Sequence, residues 1–256
     1  MLSYANTSTS NGGVVTAGPG PLVVNGVTGY VGIFCPTAMD LTNDANVPNT
    51  IIYDQFRTSR TCFMKGFSEH LRIQTNSGVP WYWRRICFTA KSDDFLQYAS
   101  GEVGLVDTSG FPAFIETSNG MQRIWRNQTI NNATNTLATW RDVIFKGTID
   151  RDWSDILTAP VDTARVDLKY DHVMTIRSGN SNGTVKYHKN WYRMNKNLVY
   201  DDDEQGKEMK TSFQSTQDKR GMGDYLILDI IQSGVGATSS DLLSANATST
   251  MYWHEK

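Results

Sequence analysis

A turn between two aromatic and β-branched runs constrains this chain more than any other stretch: residues 72–89 read RIQTNSGVPWYWRRICFT. Asn76, Ser77, Gly78 and Pro80 supply the backbone angles and local caps of a turn, so the runs on either side are predicted to be strands. In the first run, Thr61 to Gln74, Phe63, Phe67, Leu71 and Ile73 are spaced by even numbers of residues and are predicted to share one face. Lys65 and Glu69 fall in the same phase and predict a bulge or a twisted edge. In the second run Trp81, Tyr82 and Trp83 lead directly into Arg84 and Arg85, which sets stacking surfaces beside fixed positive charge.

Elsewhere the pattern is again that of strands and long polar loops. Met1 to Pro21 has little to bury and reads as an arm or surface loop. Val31 to Phe34 reads as a short strand, and Met121 to Arg126 and Arg141 to Lys146 as two more, separated by the polar stretch Asn127 to Thr136. Asp152 to Leu157 suggests one helical turn. From Val166 to Ile176 the alternation is clean: Val166, Leu168, Tyr170, His172, Met174 and Ile176 are expected in the core, with Arg165, Asp167, Lys169, Asp171 and Arg177 in water. Thr184 to Tyr200 is a second long strand, Tyr225 to Ile231 (YLILDII) a strand covered on both sides, and Thr250 to His254 a last one. About eight strands with uneven, long connections predict an all-β fold, an eight-stranded jelly-roll β-sandwich with long loops. The expected division is an N-terminal arm and loop region over 1–50, partly irregular, and the β-sandwich domain over 51–256. Loops rich in Gly, Asn and Thr bury little by themselves, so the protein is expected to be stable chiefly as an assembly.

The formal net charge of −2 over 256 residues gives no argument for a nucleic-acid or membrane partner, and its distribution is more informative than the sum. No Lys or Arg precedes Arg57. Residues 51–91 hold seven basic side chains against two acidic ones, and residues 165–200 again seven against two. Between them, Ser92 to Gly120 carries Asp93, Asp94, Glu102, Asp107 and Glu116 and no base. One basic and one acidic surface are expected. Cys35, Cys62 and Cys87, an odd number without a CxxC pair, are expected to be reduced and structural. No apolar run approaches a membrane span, and no signal-peptide pattern opens the chain.

The catalytic motifs searched for are missing: no GxSxG elbow, GxxxxGK[ST] loop, HExxH or Cys/His metal spacing occurs. No enzyme activity, cofactor or metal is therefore expected. Gly221 and Gly223 in RGMGDY read as a turn before the buried strand. Asp201 to Glu204 opens like a calcium loop but lacks the later ligands, since Gln205 and Ser212 stand where carboxylates are needed, and reads as a solvated loop.

Two runs carry a binding chemistry. WYWRR at 81–85 and KYHKNWYR at 186–193 interleave aromatics with cations, the composition with which proteins hold single-stranded nucleic acid: bases stack on rings and phosphates pair with cations. The candidate DNA contacts are Arg57, Arg60, Arg84, Arg85, Lys186, Lys189 and Arg193, with Trp81, Tyr82, Tyr187, Trp191 and Tyr192 as stacking platforms. The two runs are expected to meet on one concave face. On that expectation, replacing Arg84 and Arg85 lowers nucleic-acid binding and leaves folding intact, whereas replacing Asp201 to Asp203 does not lower it. The alternative from another class is a cellular lectin-like module whose exposed Trp and Tyr stack on sugar rings.

Several segments in order resemble the capsid proteins of genomoviruses, circular single-stranded DNA viruses related to the geminiviruses. These are RIQTNSGVPWYWRRICF at 72–88, FKGTIDRDWSDILTAPVDTARVDLKYD at 145–171, TIRSGN at 175–180, MNKNLVYDDDE at 194–204, GMGDYLILDI at 221–230 and YWHEK at 252–256. The resemblance implies a jelly-roll subunit that self-assembles as a homo-oligomer into a T=1 icosahedral shell around a single-stranded DNA genome, with no membrane partner. It implies a virion protein that assembles in the host nucleus. The chain departs from the family in having no basic arm before Arg57.

Overall fold

The computed structural model describes residues 1–106 and 110–255; Asp107 of the acidic stretch and Lys256 of the C-terminal YWHEK segment lie outside the described residues. The chain is mostly β, with 46% of residues in strands and 7% helical. Eight strands form two four-stranded antiparallel sheets: β1 (Leu22–Asn25), β2 (Tyr30–Phe34), β3 (Thr61–Thr75), β4 (Trp81–Ala90), β5 (Asp167–Ile176), β6 (Val185–Val199), β7 (Asp224–Ser233) and β8 (Leu242–Glu255). One sheet has the order β5-β4-β7-β2 and the other β6-β3-β8-β1. Each sheet therefore draws on both halves of the chain. Residues 1–50, expected as an arm and loop region, supply β1 and β2. Ser3–Thr7 also packs in, pairing in parallel with Arg123–Trp125 and antiparallel with Val14–Pro19.

The connection around Gly78 forms between two strands as expected, but the strands do not pair with each other: they enter different sheets. In β3 the alternation holds from Phe67 to Ile73 and reverses before it: Cys62 and Met64 are buried, and Phe63 is exposed rather than sharing the face of Phe67. The cause is a bulge. The pairings with both neighbours slip opposite Gly66 and Met64, which shifts the side-chain phase by one residue. Glu69 stays in the inward phase and is fully buried.

Strands β4 and β7 are buried on both faces for almost their whole length. Their inner faces meet the β3 sheet. The outer face is covered from within residues 93–106 and 110–166: Phe95 packs edge-on against Phe88, and Trp140, Ile144 and Phe145 join the same core. That cover contains α1 (Thr134–Ile144), whose last turn takes up the first part of Arg141 to Lys146, expected as a strand. Thr136, Trp140 and Ile144 recur every four residues and share one helical face. The first turn is capped from a distance, as Glu102 accepts the Asn135 and Thr136 N–H groups at 2.7 and 2.8 Å. Residues 152–157 form turns rather than a helical turn.

Strand β5 differs from its expected two-faced pattern. Val166 and Ile176 are buried, but Tyr170 and His172 are exposed. The strand lies at the edge of its sheet, its register slips between Leu168 and Tyr170, and residues 169–173 are exposed in a row. All three cysteines are buried free thiols. Gly223, with φ of +83°, makes the turn into β7, and a Cβ there would meet the Ala90 carbonyl oxygen at 2.5 Å.

Candidate nucleic-acid interface

The outer face of strand β6 is exposed along its length, so side-chain alternation decides what it shows. Tyr187, Lys189, Trp191 and Arg193 point outward and are exposed, whereas Tyr192 and Met194 point into the core. Register with β3 and β8 extends this line into rows across the sheet: Tyr187 faces Arg72 and Asn246, Lys189 faces His70 and Thr248, Trp191 faces Ser68 and Thr250, and Arg193 faces Gly66 and Tyr252. None of the twelve residues in these rows is acidic. A shallow depression of volume ≈ 350 Å³ opens between Tyr187, Lys189, Arg72, His70, Asn246 and Thr248.

Trp191 lies flat enough on the sheet to cover Gly66. A Cβ at that position would meet Trp191 Cζ2 at 2.6 Å, and the indole packs against Tyr252 with ring centroids 5.5 Å apart. The missing side chain at 66 is thus what seats the aromatic pair beside Arg193. Cations from two strands and exposed rings on these acid-free rows can hold a phosphodiester chain and stack its bases without reading their order.

The other sequence-derived candidates sit elsewhere. Lys186 is half-buried at the inner edge of β6. Arg60 is exposed, and its Nε donates to the Tyr200 carbonyl at 3.2 Å. Tyr82 is half-buried in β4. Arg57 is wholly buried: its Nη1 and Nη2 donate to Asp202 at 2.6 and 2.7 Å, its Nε donates to the Met39 carbonyl at 2.7 Å, and its guanidinium lies 3.7 Å from the centre of the Tyr200 ring. Asp202, expected in a solvated loop, is consequently fully buried, while Asp201, Asp203 and Glu204 are exposed.

The WYWRR run contributes no exposed surface comparable to that of β6. Trp81, Trp83 and Arg85 face the interior of the sandwich, and Arg84 faces the covering segment, where it pairs with Asp171 at 2.6 Å and donates to the carbonyls of Ile156 and Ala159 at 2.8 Å. Arg85 belongs to a buried cluster of two guanidinium and two carboxylate groups. It donates to Glu69, Asp229 and the Tyr192 hydroxyl, and Arg123 bridges the same two acids, at 3.1 Å to Glu69 and 2.9 Å to Asp229. Burial by itself would raise the Glu69 carboxyl, but Arg85 and Arg123 hold it below the usual range. Burial likewise opposes the charge on Arg85, and Asp229 and Glu69 outweigh it, holding its proton more tightly than usual. With the two runs in opposite sheets, and one of them internal, the single concave face expected from both does not form.

Arg72, His70 and Tyr252 complete the exposed face and were not among the candidates. Their signal was present: with Leu71 and Ile73 inside, residues 70 and 72 face out, but only strand pairing shows that they stand beside Lys189 and Tyr187. Among the described residues no group of three or more His, Cys, Asp or Glu is placed to hold a metal ion, and no helix is long and apolar enough to cross a membrane. No protein-family model matches the chain, and no curated protein matches it.

Proposed function

We propose that this protein is a capsid subunit that assembles into a closed icosahedral shell around single-stranded DNA, and that its sandwich is a jelly roll. The sheet orders 5-4-7-2 and 6-3-8-1 support the fold reading, because strands from the two halves of the chain alternate across both sheets, as in the double Greek key of viral capsid and lectin domains. The resemblance of residues 72–88, 145–171 and 221–230 to genomovirus capsid proteins supports the family reading.

The observation that carries the nucleic-acid part is the acid-free outer face of β6 and β3, with Lys189, Arg193 and Arg72 beside Trp191, Tyr187 and Tyr252. Such a face binds by charge and stacking, indifferent to base sequence and weakened steeply by salt. Electron microscopy of the purified protein tests the reading, together with the absorbance ratio at 260 and 280 nm of any particles. Uniform closed shells containing nucleic acid are expected. A protein that stays monomeric and binds oligosaccharide instead would move the assignment to the lectin-like alternative.

A further inference from the structure

Arg72 and His70, two residues apart on β3, and Lys189 on β6 are all exposed, and among the described residues none of the three makes a side-chain hydrogen bond or an ion pair within the molecule. The buried arginines behave differently: Arg57, Arg84, Arg85 and Arg123 each hold a carboxylate. Strand register sets the three unpaired groups side by side. His70 stands between Lys189 of β6 and Thr248 of β8, and Arg72 stands in the next outward row, between Tyr187 and Asn246.

These two rows frame the depression of ≈ 350 Å³. With neighbouring strands about 4.8 Å apart and like-facing residues about 6.6 Å apart along a strand, two rows of three residues cover about 10 by 7 Å, the size of a single nucleotide. Tyr187 closes one corner. Its side chain is 75% exposed, and among the described residues its ring packs against no other ring, whereas Trp191 is paired with Tyr252. An unpaired ring beside two fixed cations and an imidazole matches a phosphate with its base attached; a neutral sugar would leave the cations without a counter-charge.

The surroundings of His70 make this subsite sensitive to protons. Arg72 on its own strand and Lys189 on β6 are the charged groups of the depression, and β8 contributes only the neutral Asn246 and Thr248. The other titratable groups of the lining are Tyr187 and His188. Glu69, next to His70 in sequence, points into the core and is held by Arg85 and Arg123. A phosphate between Arg72 and Lys189 therefore brings the only anion beside the imidazole, and an anion there favours its protonated form.

We propose that the depression is a subsite for one nucleotide of a single strand, with the phosphate held by Arg72, Lys189 and a protonated His70 and the base stacked on Tyr187. Binding takes up a proton at His70, so affinity falls as pH rises through the interval, about 5 to 8, in which an imidazole loses its charge. The inference rests on the reading of this face as a nucleic-acid surface, and it names the place where a phosphate is held and the proton that its binding requires.

Fluorescence anisotropy with a labelled oligothymidylate at constant salt, between about pH 5.5 and 8, tests it. The native protein is expected to bind roughly three- to tenfold more weakly at the upper end. His70→Gln, a neutral replacement at an exposed position, is expected to abolish that dependence with an unchanged thermal melt, while Arg193→Gln, outside the depression, is expected to keep it. Tyr187→Ala is expected to lower affinity about tenfold, and Tyr187→Phe to restore it. A native affinity independent of pH, a pH dependence that survives in His70→Gln, or an unchanged affinity in Tyr187→Ala overturns the subsite and leaves the DNA-binding face standing. No binding of oligothymidylate at any pH overturns the subsite and the nucleic-acid reading together.

Discussion

The Arg85 guanidinium and the Asp229 carboxylate meet in the middle of the sandwich, Nε to Oδ1 at 2.6 Å and Nη2 to Oδ2 at 3.0 Å. Both are almost fully buried. Asp229 also accepts the Trp83 indole N–H at 2.8 Å and a guanidinium nitrogen of Arg123 at 2.9 Å, so one carboxylate organises three strands.

Removing Arg85 leaves Glu69 and Asp229 with only Arg123 between them. Arg85→Ala is expected to cost about 3–5 kcal/mol, the usual penalty for breaking a buried ion pair by deleting one partner. This reverses the expectation that Arg85 can be replaced with folding intact. Urea unfolding of the purified variant checks it; a midpoint equal to that of the native protein would show the cluster to be dispensable.

Asp202 makes the same argument where it pairs with Arg57. Asp202→Ala leaves the Arg57 guanidinium buried without its counter-ion and is expected to destabilise by a similar amount, about 3–5 kcal/mol. Asp201→Ala and Asp203→Ala, at exposed positions, are expected to stay within about 0.5 kcal/mol of the native protein. Thermal melts of the three single variants separate the cases, and equal melts for all three would contradict the assignment of Arg57 to Asp202.

On the outer sheet face, the double change Lys189→Glu and Arg193→Glu is expected to leave the melt nearly unchanged and to lower the nucleic-acid content of particles. In binding to single-stranded DNA, each lost phosphate contact is expected to flatten the plot of log affinity against log salt by about 0.7. Fluorescence anisotropy across a salt series measures it. A slope identical to that of the native protein would place the contacts elsewhere.

The pH dependence follows from Asp224. Burial pushes its carboxyl up to about 7 against the opposing hydrogen bonds from Ser215. The folded protein therefore keeps a proton that the unfolded chain releases at about 3.9. This contribution to stability is full at low pH, is lost as pH rises from about 4 to about 7, and is flat above that. Asp224→Asn cannot ionise and still offers an oxygen to the Ser215 N–H, so its stability relative to the native protein is expected to rise over that interval and then level off. Urea midpoints at a series of pH values check this, and a constant difference would show that Asp224 does not titrate there.

Sequence alone determined several of the long strands and part of their alternation. The turn at Gly78, the apolar run at 225–231 and the alternation from Phe67 to Ile73 all come from local rules of backbone angle and period-two side chains, and all are present in the fold. The outward line of Tyr187, Lys189, Trp191 and Arg193 was not legible in the same way, because the Lys, Tyr, Trp and Arg of Thr184 to Tyr200 do not sort cleanly by face in the sequence, and Tyr192, expected as a stacking platform, is buried. Tertiary structure decided what those rules leave open. Arg85 and Lys189 are both cations beside aromatics, and nothing in their neighbours tells that one lies between sheets opposite Glu69 and Asp229 and the other on a bare edge. That difference depends on which strands pair and what covers them. Helix α1 was missed because its three buried residues, Thr136, Trp140 and Ile144, were divided between a polar stretch and the expected strand Arg141 to Lys146, and its cap, Glu102, comes from a remote loop. Lys65 and Glu69 in the phase of Phe63 signalled a bulge or a twisted edge in the sequence, but only the slip in pairing with two other strands at Gly66 and Met64 fixes where it falls and turns Phe63 outward.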